Sequence, residues 1–151
     1  MADLRGQLAN HTRVGLDTSI FIYQFEAHPT YKPFTEIILQ NIQVGRQQAV
    51  LSTVTLMELT VHPWRMDRPE VASHYEALLA HFPNLKLVDV TRDVARQAAQ
   101  LRAKYNVYPA DALNVATALV NGATAYITND KGLNRLAPLL DVLVLDSFAK
   151  D

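Results

Sequence analysis

Short aliphatic stretches alternate along this chain with longer segments whose apolar residues recur at helical spacing, and this alternation limits the possible folds most. The stretches with strand character are Val14–Leu16, Ala49–Ser52, Leu85–Val90, Thr124–Thr128 and Val142–Leu145. Helical spacing lies between them, as in Phe34, Ile37, Ile38 and Ile42. Strands joined by helices of this length favour right-handed crossovers and a mainly parallel sheet covered on both faces. The sequence therefore predicts an α/β sandwich with five strands.

Two segments outside these strands carry weaker signals. Leu4–Leu8 has the spacing of a short leading helix, within about a dozen residues that precede the first strand. His62–Glu70 contains Pro63 and Pro69, which predicts a break between two helices. With 151 residues and no linker or repeat, the chain is expected to form one domain over 1–151.

Composition excludes several classes of protein. The absence of cysteine rules out a disulfide scaffold, a thiolate nucleophile and a Cys-based zinc site. The net charge of -1 means that any nucleic-acid binding depends on a local patch. No apolar run approaches the ~20 residues that span a bilayer, and the first residues lack the apolar core of a secretory signal. We therefore expect a cytoplasmic protein with no membrane partner.

Four acidic residues lie at the ends of these elements. Asp17 follows the first apolar run and Asp130 follows the fourth, and ligands of open α/β folds bind beyond the carboxyl ends of strands. Glu58 lies among apolar residues in the helix expected after the second strand. Asp111 starts another helix, with Asn114 three residues on along the same face.

Each acid also has a purely structural explanation. Asp17 and Asp130 could be helix N-caps, Asp111 could favour a helix N-terminus electrostatically, and Glu58 could complete a capping box with Thr55. If the four instead converge, their mutual repulsion requires a neutralising cation. Oxygen ligands without cysteine or paired histidine suit Mg²⁺ or Mn²⁺, and such a site indicates a phosphate-bearing substrate.

The segments LDTSIFIY, STVTLMEL, PADALNVATAL and YITNDKGL occur in this order and are followed by VLVLDSF. In this arrangement the chain resembles PIN-domain ribonucleases, in particular the VapC-type toxins of prokaryotic toxin–antitoxin pairs. The resemblance runs nearly end to end. It implies a three-layer α/β/α sandwich around a five-stranded, mainly parallel sheet.

The resemblance also implies a site and an activity. By position, Asp17, Glu58, Asp111 and Asp130 match the family's catalytic and metal-binding acidic quartet. The polar residues that match its supporting positions, or lie beside them, are Thr18, Thr128, Asn129 and Asn114. The implied protein is a Mg²⁺- or Mn²⁺-dependent endoribonuclease, a toxin that often forms homodimers and is silenced by an antitoxin protein. The alternative is a non-catalytic PIN-like module that binds RNA or protein.

Substrate binding and mechanism follow as hypotheses. One or two divalent ions held by the quartet would activate water against an RNA phosphodiester, leaving 5′-phosphate and 3′-hydroxyl ends. Arg92 and Arg96 lie in a helix with a net positive charge, and they are candidates for contact with the RNA backbone, although a solvated helix face explains them as well. No phosphate-binding glycine loop occurs, which disfavours a nucleotide-binding enzyme.

Overall fold

The computed structural model describes residues 2–149, and its centre is one five-stranded sheet in which every pair of neighbours is parallel. The strands are β1 (Arg13–Leu16), β2 (Gln48–Ser52), β3 (Leu85–Val88), β4 (Ala125–Thr128) and β5 (Asp141–Val144). Their order across the sheet is β3-β2-β1-β4-β5. All five predicted strands are confirmed, with ends that differ by one or two residues.

Helices connect the strands and cover both faces of the sheet. They are α1 (Ala2–Leu8), α2 (Thr18–Phe25), α3 (Lys32–Gln43), α4 (Thr53–Arg65), α5 (Pro69–His81), α6 (Arg92–Tyr105), α7 (Pro109–Val120) and α8 (Leu145–Phe148). A 3-10 helix, Lys131–Leu136, follows β4. Within the described residues, no helix combines the length and the apolar character needed to cross a membrane.

The core divides into two clusters because side chains alternate across the sheet. Val14 and Leu16 of β1 pack in a cluster with α1 to α5 and α8, while Tyr126 of β4 packs in a second cluster with α6 and α7. Strands buried on both faces are typical of parallel sheets with helices on each side. The predicted α/β/α sandwich is therefore confirmed.

The two weaker predictions have different outcomes. The leading helix is confirmed as α1, whose Leu4 and Leu8 are fully buried in the first core cluster. The break predicted over His62–Glu70 is too long. Helix α4 continues through Pro63 to Arg65, and the break is confined to the three residues before Pro69. The helix ends soon after Pro63, whose carbonyl accepts from the N–H of Arg68 at 2.9 Å.

The strand order creates a switch point between β1 and β4. From β1 the chain builds outward through β2 to β3, and it then returns to the other side of β1 for β4 and β5. In open α/β sheets a crevice for ligands forms beyond the carboxyl ends of strands at such a point. Asp17 follows β1 there, and its backbone N–H donates to the carbonyl of Ile127 in β4 at 2.9 Å.

Helix α7 approaches β1 closely at Gly15. A Cβ atom at this position would lie 2.5 Å from the Cβ of Ala118 and 3.0 Å from the Cδ1 of Tyr126. Only a glycine leaves room for both neighbours. The missing side chain thus brings α7 near the end of β1, where the predicted site lies.

We predict that Gly15→Ala lowers the free energy of unfolding by about 1–3 kcal/mol, the usual cost of overpacking a dense core. Urea unfolding measures this change. Gly6→Ala is the matched control, since no atom lies within 4 Å of its added Cβ. Gly6 lies in α1, so this control should keep or raise stability by about 0.5–1 kcal/mol. Equal stability of Gly15→Ala and wild type would contradict the close packing of α7 on β1.

Candidate active site

Asp17 lies at the end of β1 with its carboxylate held by neighbouring hydroxyl groups. Thr128 donates to Asp17 Oδ2 at 2.7 Å and Ser19 donates to the same oxygen at 3.1 Å. Asp17 occupies the N-cap position of α2, but its side chain caps no backbone N–H. The capping explanation is therefore wrong for this residue. Burial raises the pKa of Asp17, and the two hydroxyl donors offset part of that rise.

Glu58 projects from α4 toward two polar side chains. Thr18 donates to Glu58 Oε1 at 2.6 Å, and the Asn114 amide donates to the same oxygen at 3.3 Å. Thr18 also lies 2.9 Å from the Thr55 hydroxyl. Because the single hydroxyl proton of Thr18 goes to Glu58, Thr55 must be the donor in that second contact. The three segments that carry these residues are far apart in sequence.

The capping box proposed for Glu58 is wrong. Helix α4 begins two residues before Thr55, and its N-cap is Ser52, whose hydroxyl accepts from the N–H of Val54 at 3.1 Å. Thr55 is already inside the helix and fully buried. Glu58 therefore has no role at the helix terminus.

Asp111 is coupled to the other three acids. It lies in the first turn of α7, as predicted, in a position that the helix dipole favours. Its pKa is nevertheless raised to about 6, first by burial and then by the negative charges of Asp17, Asp130 and Glu58. This mutual influence indicates that the four carboxylates share one region.

Asp130 is the most exposed of the four, and it caps the 3-10 helix. Its Oδ1 accepts from the N–H of Gly132 at 2.8 Å, so the capping explanation is correct for this residue. The Thr128 hydroxyl accepts from the N–H of Asp130 at 3.1 Å while it donates to Asp17. Thr128 thus connects two acids of the quartet.

Two buried polar side chains adjoin the acids. Asn114 is 4% exposed and its amide bonds Glu58, but its Oδ1 has no hydrogen-bond partner in the described part of the chain. Tyr126 is 1% exposed, and the charges of Asp17 and Asp111 add to burial in raising the pKa of its hydroxyl. Unsatisfied buried polar atoms are rare and mark a place where a ligand or water completes the bonding.

No ion pair within residues 2–149 involves the quartet. The ion pairs across residues 2–149 are His11–Asp141, Arg68–Glu70, Arg96–Asp93 and Lys131–Asp146, and none of them includes Asp17, Glu58, Asp111 or Asp130. In the same residues no three acidic or histidine side chains converge tightly enough to ligate one ion directly. The arrangement suits an ion that contacts one or two carboxylates and keeps several waters, as Mg²⁺ commonly does.

Three of the predicted residues lie outside this cluster. Asn129 connects α2 to α8, because it donates to the Tyr23 hydroxyl at 3.0 Å and accepts from the N–H of Asp146 at 2.9 Å. Arg92 and Arg96 lie at the beginning of α6, where Arg96 pairs with Asp93 at 2.8 Å. At the opposite end of α6, the carbonyl of Tyr105 accepts from Arg135, which also donates to the carbonyl of Gly132 beside Asp130. RNA contact by these two arginines stays a prediction.

Sequence reasoning did not assign Ser19, Thr55 or Tyr126 to the site. Ser19 follows Asp17 by two residues, and its hydroxyl could have been considered as a local donor. Thr55 precedes Glu58 by three residues, but only the approach of α2 gives it a partner. Tyr126 has no sequence signal, since it sits in a strand where a buried aromatic residue is usual.

The structure is an open, all-parallel α/β domain with acidic residues at the switch point of its sheet. The family model for the PIN domain matches residues 14–139, which is more than half of the chain, and the protein belongs to that family. A search of curated protein sequences finds no match to this chain.

Solved structures share the fold. A chain of the toxin–antitoxin complex from Klebsiella pneumoniae is similar with 21% identity, 87% of this chain and 96% of that chain covered, and a TM-score of 0.63. A chain of VapBC2 from Rickettsia felis, solved in complex with a DNA fragment from the promoter, is similar with 19% identity and a TM-score of 0.63. The match covers 86% of this chain and 96% of that chain. A chain of FitAcB from Neisseria gonorrhoeae is similar with 19% identity and a TM-score of 0.63. The match covers 87% of this chain and 96% of that chain.

The raised pKa of Asp111 predicts a pH-dependent stability without metal. Between about pH 4 and pH 6 the unfolded chain has released this proton while the folded chain keeps it, so the free energy of unfolding falls as pH rises. Asp111→Asn replaces the carboxyl group by a neutral amide, so the variant should not lose stability in this way as pH rises. In EDTA at pH 8 the variant should be more stable than wild type by about 1 kcal/mol, allowing for solvent screening of a half-exposed group.

Urea unfolding at pH 4.5, 6 and 8 measures this difference. Asp89→Asn serves as the control for losing one negative charge, because Asp89 is exposed and lies beyond β3, away from the quartet. A stability difference for Asp111→Asn that stays flat across these pH values would contradict the coupling among the four acids.

Proposed function

We propose that this protein is a VapC-type toxin, a divalent-metal-dependent endoribonuclease whose site is formed by Asp17, Glu58, Asp111 and Asp130. The observation that carries the proposal is a group of four coupled carboxylates with no basic partner in the described residues. Such a group is costly unless a cation neutralises it. Membership of the PIN domain family and similarity to chains of toxin–antitoxin complexes also support the proposal.

The oxygen atoms that would coordinate the ion suit Mg²⁺ or Mn²⁺. All are carboxylate, amide or hydroxyl oxygens, which these hard cations prefer, and the unpartnered Asn114 Oδ1 adds a further acceptor beside Glu58. Asp17, Glu58, Asp111 and Asp130 would hold the ion, one or two of them directly and the others through water. When bound, the ion would supply charge neutralisation at the phosphate and water of lowered pKa.

The chain's own residues have separate tasks in this proposal. Thr128 and Ser19 fix the orientation of the Asp17 carboxylate, and Thr18 and Asn114 fix that of Glu58. Held carboxylates need little reorganisation when charge develops at the phosphate, and this preorganisation favours catalysis. The pKa of Asp111 is raised to about 6, so a bound cation would stabilise the ionised form of this carboxyl group.

A protein partner is proposed from an apolar cleft beside the acids. The cleft has a volume of about 410 Å³ and lies between α2, α4 and α5. Its walls include Ile22, Phe25, Leu59 and Tyr75, and Glu58 lies at its edge. A segment with apolar side chains and a basic residue would fit this combination, and the similar toxin–antitoxin structures support an antitoxin as the source of that segment.

Cleavage of single-stranded RNA with Mn²⁺ and not with EDTA is the expected result for wild type. Asp17→Asn should lower the rate by more than about 100-fold, since loss of an outer-shell partner alone costs about 10–100-fold in comparable metal sites. A gel assay with labelled RNA measures the rate. Asp93→Asn, which alters an exposed acid on α6, is the control and should keep full activity.

Melting curves separate this proposal from a non-catalytic module. Mn²⁺ should raise the melting temperature of wild type and leave that of Asp17→Asn unchanged. Stabilisation without cleavage would favour an RNA- or protein-binding module. The absence of both effects would contradict a metal site.

We propose a homodimer whose interface is the exposed apolar face of α4. Met57, Val61 and Trp64 are 59%, 41% and 60% exposed and lie on one side of the helix. Trp64→Glu should convert a dimer to a monomer in light scattering, because it places a charge in an apolar interface. Val44→Glu, at another exposed apolar residue, is the control. A monomeric wild type would contradict the proposal.

A further inference from the structure

The loop between α6 and α7 is tied to the acidic site through Arg135. The guanidinium group donates from Nη1 to the carbonyls of Tyr105 at 2.9 Å and Asn106 at 3.3 Å, and from Nε to the carbonyl of Gly132 at 2.6 Å. Gly132 in turn donates its N–H to Asp130. The C-terminal end of α6 and the loop after it therefore lie next to an acid of the quartet.

Two further cations lie at the same end of α6. Arg102 is exposed, and its Nε donates to the carbonyl of Val107 in the loop at 3.2 Å. Lys104 is exposed, with its ammonium group 5.5 Å from the centre of the Tyr105 ring. These contacts hold both side chains beside the loop without neutralising them, because a carbonyl and an aromatic ring carry no net charge.

None of these three cations pairs with a carboxylate within the residues that the structure describes. Arg96, near the other end of the same helix, is paired with Asp93. The helix rises about 1.5 Å per residue, so Arg92 lies roughly 18 Å along the axis from Lys104. Within residues 2–149 Arg92 also forms no ion pair, so the beginning of α6 holds one unpaired cation while its end near the acids, together with Arg135, holds three.

Tyr108 projects from this loop with almost no packing. It is 79% exposed, the largest exposed fraction among the large apolar side chains between residues 2 and 149. It occupies the N-cap position of α7, one residue before Pro109 and three before Asp111. An aromatic ring with this exposure contributes little to the core, and most of its surface is accessible to a ligand.

We propose that this loop is the RNA-docking surface, in which Tyr108 stacks on an unpaired base and Arg102, Lys104 and Arg135 bind the flanking phosphates. This inference rests on the proposed nuclease function and adds the residues that bring the RNA chain to the acids. An acidic pocket repels a phosphodiester, so the approach of RNA needs cations at its edge. Cations beside an exposed ring are the combination that binds single strands, whose bases are free to stack.

The surface also explains why a single strand is the occupant. Bases of a duplex are covered by their neighbours and offer no face to an isolated ring. Pro109 restricts the backbone that follows Tyr108, because its ring fixes the φ angle of the first residue in α7. Asp111 follows Tyr108 by three residues, so about one turn of α7 separates a base stacked on Tyr108 from the acids.

Binding of a fluorescein-labelled single-stranded RNA of mixed sequence, measured by anisotropy in EDTA, tests the docking surface without cleavage. Tyr108→Ala should weaken binding by about fivefold or more, the effect of losing one base–aromatic stack. Tyr108→Phe keeps the ring and should bind within about twofold of wild type. Equal binding by Tyr108→Ala and wild type would overturn the proposal.

Salt dependence tests the cations. Lys104→Gln should weaken binding and reduce the slope of log K against log[salt] by about 0.7, the value for one phosphate contact with a single strand. Lys86→Gln is the matched control, since it removes one exposed charge from β3, near Asn121 at the opposite end of α7 from Asp111, and should leave the slope unchanged. A larger effect from Lys86→Gln than from Lys104→Gln would overturn the placement of the surface.

The outcomes separate this proposal from the nuclease assignment. If Tyr108→Ala loses RNA binding while wild type fails to cleave with Mn²⁺, the docking surface stands and the nuclease fails. If Tyr108→Ala binds and cleaves RNA as wild type does, the nuclease stands and the surface fails. A Tyr108→Ala variant that changes only the oligomeric state would overturn RNA docking in favour of a protein contact.

Discussion

The repulsion among four carboxylates is the constraint on which the rest of this site depends. Asp17 and Asp111 both have raised pKa values, and in each case burial is the first cause and a neighbouring acid adds to it. A fold does not retain such a group for stability, because replacing buried charges by apolar residues is often neutral or favourable. The group is explained most simply by a ligand that carries positive charge. Within residues 2–149, the side chains that donate to Asp17 and Glu58 are hydroxyl and amide groups, which orient the oxygens without neutralising them.

Hydroxyl and amide donors perform this orientation, and their choice has an electrostatic consequence. Thr18, Thr128 and Asn114 can each fix a carboxylate by hydrogen bonding without neutralising it. An arginine in the same place would form a stronger bond, but it would also supply the charge that a metal ion is expected to bring. The neighbouring cation Arg135 instead bonds backbone carbonyls, which keeps its charge at the edge of the acidic region.

Much of the architecture could be predicted from the sequence, because it depends on local patterns. The five apolar runs predicted the strands, and the acids at their ends predicted the region of the site. The partners of each acid could not be predicted, since Thr18 and Glu58 are forty positions apart and meet only through packing of α2 on α4. The capping box with Thr55 failed because Ser52 is an equally good cap and lies where the strand ends.

The basic helix shows a second limit of sequence reasoning. Its net positive charge predicted contact with RNA, and Arg92 and Arg96 stay candidates for that contact. The sequence does not reveal which end of a helix approaches the site, and here it is the end that holds Lys104 and Arg102. The direction in which α6 runs is set by its short connection to α7. Helix α7 begins beside the carboxyl ends of the strands, where it carries Asp111 in its first turn.

The close contact between α7 and β1 links the packing of the fold to this chemistry. Gly15 leaves space that Ala118 and the ring of Tyr126 fill, so α7 lies near β1 along the line that leads to Asp17. The helix dipole at the start of α7 favours the ionised form of Asp111, while burial and the other acids oppose it. A larger residue at position 15 would move the helix outward and weaken the coupling of Asp111 to Asp17. A glycine in the middle of a strand, which costs conformational entropy, is thus explained by the position of a carboxylate at the end of that strand.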